Sequence, residues 1–309
     1  MPSIVTITFN PCVDISSTID GLVPEKKMRC GTLVYEAGGG GINVARAIKK
    51  LGGTPLAIYL AGGTSGSNLK SLLAAESLDG MCIDTGVNTR VNVMMVDKAT
   101  TLQYRFITTG NPIEEKYYEQ CLQSLEALND VKYIVVSGSL QPGLPHDIFS
   151  RLAVIAEQKK AKLVIDVPTE AMKAYPIKGA YLLKPNLNEL SMLSGKEELE
   201  GDDIAKAAKI IIEKDICEVV VVSMGPAGAL LVTKDLSERF ITPAVKIKTT
   251  VGAGDSMVAG IVMSLVQNKS LTESARFGVA CGTAATLIGG TQLFKIEDVE
   301  RLYTAIRTL

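Results

Sequence analysis

An α/β fold, with a mostly parallel sheet and helices on both faces, is predicted by three features of the sequence. Short β-branched apolar runs alternate with segments of helical period. Most of those runs close on turn or polar residues. With 47% hydrophobic and 21% charged residues, 309 positions can bury a large core. The strand-like runs are Ile4 to Phe9, Leu56 to Leu60, Tyr133 to Ser137, Leu163 to Val167, Tyr181 to Lys184 and Val219 to Ser223. The helical segments are Ile42 to Leu51, Gly66 to Ala75, Glu114 to Leu128, Asp147 to Lys159, Asn188 to Leu193 and Asp202 to Lys214. Apolar residues recur in them at three- and four-residue spacing. Ligands bind parallel sheets beyond the carboxyl ends of the strands, so Asp166, Lys184, Asn186 and Ser223 are site candidates by position.

Two stretches interrupt the alternation. Ile15 to Glu36 has no helical period, and Arg90 to Ile107 holds two β-rich runs separated by Asp97 to Thr101, the pattern of a hairpin. Together they predict a small β-sheet lid, about residues 12–36 and 88–108, standing off a single domain that spans 1–309. Such a flap closes over a substrate, or pairs its edge and apolar face with a second subunit.

Composition excludes several function classes. Formal charge is −1 with no run of like charges, so neither nucleic acid nor an anionic membrane surface is an expected partner. The longest apolar stretches, Glu218 to Val232 and Met257 to Val266, are short or broken, and Met-Pro-Ser-Ile-Val at the start lacks the pattern of a signal peptide. A cytoplasmic protein is expected. Cys12, Cys30, Cys82, Cys121, Cys217 and Cys281 form no Cys-x-x-Cys pair and are expected to be buried or half-buried thiols. The one histidine, His146, follows Leu-Pro in a turn-like segment and is expected at the surface, which excludes a His-rich zinc site.

The most informative segment is Thr249 to Ser256, Thr-Thr-Val-Gly-Ala-Gly-Asp-Ser, which opens the apolar helical run Met257 to Val266. A Gly-Ala-Gly turn lets backbone N–H groups crowd an anion, and the helix adds the positive end of its dipole. Asp255 would repel that anion unless it takes a proton from an attacking hydroxyl, the arrangement of phosphoryl transfer to an alcohol. The alternative is an ordinary Asp N-cap.

Other segments are each open to two readings. Gly38 to Gly41 precedes a helical opening whose Asn43 is placed to bond sugar hydroxyls, or is a purely structural glycine turn. Neither Gly-x-Gly-x-x-Gly nor a P-loop occurs. In Lys184-Pro185-Asn186-Leu187-Asn188-Glu189, Asn186 and Glu189 share the first turn of a helix and either hold water around a magnesium ion or form a capping pair. Ser223 to Gly228 is a nucleotide-receiving turn or a simple hairpin. Arg90 and Arg105, on the two flap strands, suit one sugar-phosphate dianion, or are solvated arginines.

Four segments occur in order: Gly-Gly-Gly-Gly-Ile-Asn-Val-Ala-Arg-Ala from Gly38, Val-Ser-Gly-Ser-Leu-Gln-Pro-Gly at 136–143, Lys-Pro-Asn-x-x-Glu at 184–189, and Thr-Val-Gly-Ala-Gly-Asp-Ser at 250–256. This set resembles the ribokinase, or PfkB, family of carbohydrate kinases over essentially the whole chain. The resemblance implies a Rossmann-like, ribokinase-like body with a β-sheet lid. It also implies ATP-dependent phosphorylation of a sugar hydroxyl, with Mg2+ and, in several members, a monovalent cation such as K+. By the same resemblance Asp255 is the base and the amides of Gly252, Ala253 and Gly254 form the anion hole. Asn186 and Glu189 organise magnesium through water. Lys184, Asn186, Ser223, Gly225, Gly228 and Thr250 take nucleotide-side positions, and Asp14, Gly39, Asn43 and Ser139 hold the acceptor.

Family members acting on fructose 1-phosphate or tagatose 6-phosphate often carry a lysine where this chain has Gly40. Its absence passes anion binding to Arg90 and Arg105 and makes the 1-hydroxyl of fructose 6-phosphate the expected acceptor, giving fructose 1,6-bisphosphate. Lys27 resembles a lysine that reaches the neighbouring subunit's site, so a homodimer through the lid is expected. The alternatives are kinases for fructose 1-phosphate or tagatose 6-phosphate and, in a different class, a non-catalytic sugar-phosphate or nucleotide sensor. Thr249 departs from the acidic residue many members place there, and Ile288 and Gln292 offer no side-chain cation ligand, which leaves any potassium site to backbone carbonyls.

Overall fold

The computed structural model describes residues 3–290 and 292–309. The chain begins β1 (Ile4–Thr8), β2 (Cys12–Ile19), β3 (Val34–Gly38), α1 (Gly40–Lys50), β4 (Leu56–Ala61), α2 (Gly63–Ala75) and β5 (Gly80–Asp84). There follow β6 (Arg90–Asp97), β7 (Gln103–Phe106), α3 (Glu115–Glu126), β8 (Tyr133–Ser137), α4 (Ile148–Lys159), β9 (Lys162–Asp166) and α5 (Thr169–Ala174). The next elements are β10 (Ala180–Leu183), α6 (Leu187–Ser194), α7 (Asp202–Glu213), β11 (Cys217–Ser223), β12 (Ala229–Val232) and β13 (Ser237–Ile241). The chain closes with α8 (Ala253–Val266), α9 (Leu271–Ala285), α10 (Ile296–Ala305) and β14 (Arg307–Thr308).

The main sheet has ten strands in the order β14-β13-β12-β11-β10-β9-β8-β1-β4-β5. Every pairing from β11 to β5 is parallel. The strands β12, β13 and β14 extend one edge in antiparallel fashion. Helices cover both faces because the parallel strands are apolar on both. On one face α3, α4 and α7 bury Tyr118, Leu152 and Ile211 against Val136, Ile165 and Val220. On the other, α1, α8, α9 and α10 bury Ile48, Ile261, Val279 and Leu302 against Val135, Val164 and Val221. Strand order reverses between β1 and β8, the place where doubly wound sheets open a crevice at the carboxyl ends of their strands.

A second sheet, β3-β2-β6-β7, stands beside that crevice. Its strand β2 pairs in parallel with β6, opposing Asp14 to Asn92, and β6 turns back antiparallel onto β7. One face therefore presents Asp14, Asn92 and Arg90. The opposite face carries Tyr35, Ile15, Val93 and Phe106 in one row across four strands. Among the described residues no helix is long and apolar enough to cross a membrane. His146 is exposed, as expected, and all six cysteines are free. Cys30, expected to be at least half-buried, is exposed instead, because the β2–β3 connection runs over the surface.

The helix that closes the site, α8, is held by close approach to α9. A Cβ on Gly278 would lie 2.7 Å from the carbonyl oxygen of Met257, and one on Gly260 would lie 2.9 Å from Gly278 Cα. Gly278→Val is expected to force the two helices apart and lower stability by about 1–3 kcal/mol, read as the shift of the urea-unfolding midpoint. Unchanged stability would show that the helix pair yields freely.

Candidate active site

The carboxyl ends of β1, β8, β9 and β10 face the start of α8. Gly252, with φ 72°, is the N-cap of that helix, a left-handed conformation that suits glycine, and no side chain caps it. The first intrahelical bond runs from the Ser256 N–H to the Gly252 carbonyl at 2.9 Å. The amides of Ala253, Gly254 and Asp255 thus precede the first full turn, where the helix itself offers no acceptors. Only a 3.4 Å turn contact ties the Ala253 N–H to Thr250. Anions are favoured at such an end.

Asp255 is the third helical residue rather than the cap, so its side chain is available for other work. Asn43 Nδ2 donates to its Oδ2 at 3.0 Å, and Ser137 Oγ donates to its Oδ1 at 3.1 Å. Burial pushes its pKa up to about 6 with help from the charge of Asp166, against the two hydrogen bonds and Lys184. The result is a base ionised at neutral pH that holds a proton readily.

Lys184, the residue after β10, is 5% exposed, with Nζ 3.1 Å from Asp166 Oδ1. A Cβ on Gly254 would stand 3.3 Å from that ammonium, so glycine lets the cation sit against the helix terminus. Burial works against the charge, but Asp166, Glu189 and Asp255 outweigh it and hold the pKa of Lys184 above its ordinary value. Asn186 and Glu189 realise the capping reading in full: the Glu189 N–H donates to Asn186 Oδ1 at 2.9 Å, and the Asn186 N–H donates to Glu189 Oε2 at 2.8 Å. Ser223 bridges to Asn186 beside it. Ser223 to Gly228 is also a hairpin, joining β11 to β12, with Gly225 at φ 57° and Gly228 at φ 91°. Thr250 is exposed on the approach to α8.

A divalent ion fits this donor set. Asp166 and Glu189 bear on Lys184 from two elements, the carboxylate of Glu189 keeps one oxygen outside the cap, and hard oxygen donors suit magnesium. Among the described residues no group of three or more His, Cys, Asp or Glu could hold a metal ion.

On the other side of Asp255, Asn92 Nδ2 donates to Asp14 Oδ1 at 2.9 Å and Cys12 Sγ donates to the same atom at 3.2 Å. Arg90 spans three segments. Its Nη2 donates to Asn10 O at 3.0 Å and to Ser139 Oγ at 3.1 Å, and its Nη1 donates to Thr108 O at 2.9 Å. Burial pushes the thiol of Cys12 far up, with the charge of Asp14 adding to it, Arg90 opposing it and Asp255 contributing more weakly. Gly39, at φ 117°, begins α1 against Thr8 and Pro11.

Two expected residues do not join the cluster. Arg105 is exposed and donates to Gln103 Oε1 at 2.7 Å. It pairs opposite Met94, four residues along β6 from Arg90, or about 13 Å at strand rise. The pair of arginines expected to converge on one dianion is therefore not assembled within the chain. Lys27 lies exposed in the β2–β3 connection. Gly40 also gains a second meaning: a Cβ there would lie 2.6 Å from the Ser137 carbonyl carbon, so packing against the end of β8 alone excludes a lysine on this backbone. Among the groups around Asp255, sequence position flagged Asp166 without a role and marked Ser137 only as the end of a run. Asn10, Asn92 and Cys12 carry no local signal at all.

The model of the pfkB family carbohydrate kinase matches residues 6–298. The ATP-dependent 6-phosphofructokinase isozyme 2 of Escherichia coli is 40% identical over 304 residues, covering 98% of each chain. The 1-phosphofructokinase of Bacillus subtilis is 31% identical over 305 residues, also covering 98% of each. Structures of Escherichia coli phosphofructokinase-2 superpose over 99% of both chains. They include a potassium complex (TM-score 0.94, 40% identity), a fructose-6-phosphate complex (0.90, 38%) and a tetrameric inhibited form (0.92, 39%).

Because the folded state holds a proton on Asp255 more tightly than the unfolded chain does, this group's contribution to stability is present below its ordinary pKa near 4 and is lost as pH rises through about 6. Asp255→Asn is therefore expected to stabilise the fold at pH 8 by about 1–3 kcal/mol and to leave it nearly unchanged at pH 4. Urea unfolding of both proteins at the two pH values measures it.

Proposed function

The chain belongs to the pfkB family of carbohydrate kinases, and from that premise we propose that it transfers the γ-phosphoryl group of ATP to the 1-hydroxyl of fructose 6-phosphate, giving fructose 1,6-bisphosphate and ADP. One observation carries the reading: Asp255, held by Asn43 and Ser137, stands beside the uncapped amides of α8. A base for a hydroxyl and donors for a phosphoryl group meet at one point. The whole-length identity with a 6-phosphofructokinase supports this acceptor.

In the reaction Asp255 accepts the hydroxyl proton as the sugar oxygen forms its bond to the γ-phosphorus and the bond from that phosphorus to the β-bridging oxygen breaks. The amides of Gly252, Ala253 and Gly254, with Lys184, stabilise the charge spreading over the phosphoryl oxygens. Asp14, Gly39, Asn43 and Ser139 hold the sugar, and Arg90 meets its phosphate. Asn186, Ser223, Gly225, Gly228 and Thr250 line the nucleotide side. Glu189 and Asn186, with Asp166 beside them, would hold magnesium through water, and the ion would supply positive charge to the phosphates. Potassium, present in a complex of the Escherichia coli relative, would meet only backbone and hydroxyl oxygens near Thr249 and 285–290. ATP as donor supports a cytoplasmic location.

The small sheet acts as the lid and as the dimer surface. Its outer row ends in Tyr35 and Phe106, 43% and 55% exposed, an apolar strip that a second copy would cover. Lys27 and Arg105, outside this chain's own cluster, are then free to serve the partner's site. A fructose 1-phosphate kinase is the second reading, supported by the 31% identity to the Bacillus subtilis enzyme.

With one protein sample, kcat/KM is expected to be highest for fructose 6-phosphate among fructose 6-phosphate, fructose 1-phosphate and tagatose 6-phosphate. A higher value for fructose 1-phosphate would install the second reading. Asp255→Asn should lower kcat by about 10³-fold or more while the affinity for fructose 6-phosphate stays nearly constant; near-normal turnover would remove Asp255 from its role. Phe106→Glu is expected to convert the dimer to monomer in light scattering at micromolar protein, and an unchanged mass would place the interface elsewhere.

A further inference from the structure

Behind the candidate base runs a polar chain whose far member, the buried Arg46, the reaction as described does not use. Arg46, one turn along α1 from Asn43, is 8% exposed. Its Nε donates to Glu76 Oε2 at 2.7 Å, at the end of α2, and its Nη1 donates to the Ala37 carbonyl at 3.2 Å, at the end of β3. The same Nη1 donates to Asn43 Oδ1 at 3.4 Å, and Asn43 Nδ2 in turn donates to Asp255 Oδ2 at 3.0 Å.

The chemistry of these groups leaves one consistent arrangement. A guanidinium has donors and no acceptor, so the amide atom facing Arg46 must be the oxygen of Asn43. The NH2 group is then turned toward Asp255, and a donor can bond only an oxygen that carries no proton along that direction. Ser137, on the other carboxylate oxygen, has a hydroxyl that rotates between donor and acceptor. Asn43 lacks that freedom while the guanidinium stays in place. We propose that Arg46 is a positioning residue for phosphoryl transfer: by fixing the amide orientation of Asn43 it keeps Asp255 in its proton-accepting form. The inference rests on the reading of Asp255 as the base.

The groups that face Asp255 from the elements packed around it pull in both directions. Asp166 at the end of β9 favours the protonated form, Lys184 after β10 favours the ionised one, and Asn43 and Ser137 add hydrogen bonds to the ionised carboxylate. Cys12 on β2 is held protonated by burial. If the Asn43 amide were free to turn over, its carbonyl oxygen would face Asp255 and bond only a protonated carboxyl. The base would then ionise at higher pH.

The test titrates Asp255 directly, by 13C NMR of the carboxyl carbons in unliganded protein labelled at aspartate, with Asp255→Asn identifying the resonance. Arg46→Met is expected to raise the Asp255 pKa by about one unit and to move the acid limb of kcat/KM upward by the same amount. Activity then falls about fivefold at pH 6 and largely recovers at pH 8.5. Arg46→Lys, which keeps a donor-only cation, should restore much of the original value, and it carries the comparison should the methionine variant fail to fold. In an Asn43→Ala background, Arg46→Met should produce no further shift, because its effect passes through that amide. A full shift in that background overturns the proposal in favour of the bare charge of Arg46. An unmoved titration with activity lost equally at all pH values reduces Arg46 to a structural tie. The NMR arm needs no turnover, so a failure of the phosphotransfer reading would show separately, as wild-type protein inactive on every sugar.

Discussion

A carboxylate held beside helix amides that attract anions is the constraint on which the rest of the site depends. Asp255 and an incoming phosphoryl group would repel each other, and burial makes the repulsion stronger. The protein meets this by surrounding Asp255 with neutral donors, Asn43 and Ser137, and by placing the ammonium of Lys184 against the turn of the helix and in a pair with Asp166. Asp166, Glu189 and Asp255 thus leave the cluster net negative around the single ammonium of Lys184, and the uncapped amides add positive potential without adding an ion.

Topology explains how these groups come together. Asn43 and Asp255 are 212 residues apart in sequence, and they meet because α1 and α8 pack side by side over the reversal point between β1 and β8. The same reversal opens the space into which Asn10 and Ser139 project from the loops after those two strands, where Asn10 Nδ2 donates to Leu140 O and Arg90 ties both loops to the small sheet. The Asp14–Arg90 side of the crevice therefore depends on a sheet outside the main body, whereas the Lys184–Asn186 side belongs to the body alone. Movement of the small sheet would alter the first and leave the second intact.

Several local features serve structure and chemistry at once. The Asn186–Glu189 pair caps α6 through one carboxylate oxygen and leaves the other outside the cap; the Ser223–Gly228 hairpin turns the chain and still borders Asn186. A cap and a ligand site draw on the same unpaired amides and the same short polar side chains, so the two readings were never exclusive. Gly40 carries the opposite lesson. Its missing side chain, which invites an inference about substrate charge, is required by the backbone of Ser137 and Gly138.

What the sequence determined by itself was everything written in local period and in contiguous motif. That covers the parallel strands except β5, the helices between them except the short α5, the β6–β7 hairpin, and Asp255 behind a Gly-Ala-Gly turn, because backbone conformation over a few residues follows from side chains in that window. The antiparallel edge β12-β13-β14 was legible only in its first strand, since β14 is a two-residue strand with no period to read. The tertiary structure alone decided which polar residues surround Asp255. Ser137 and Asn92 look like any other serine or asparagine along the chain, and they acquire a role only from partners 118 and 78 positions away; Arg46 acquires its role through Asn43, which meets Asp255 212 positions away. It also decided that Arg90 joins the pocket while Arg105 does not, because register across β6 and β7 is set by pairing between strands and not by the spacing of the two arginines.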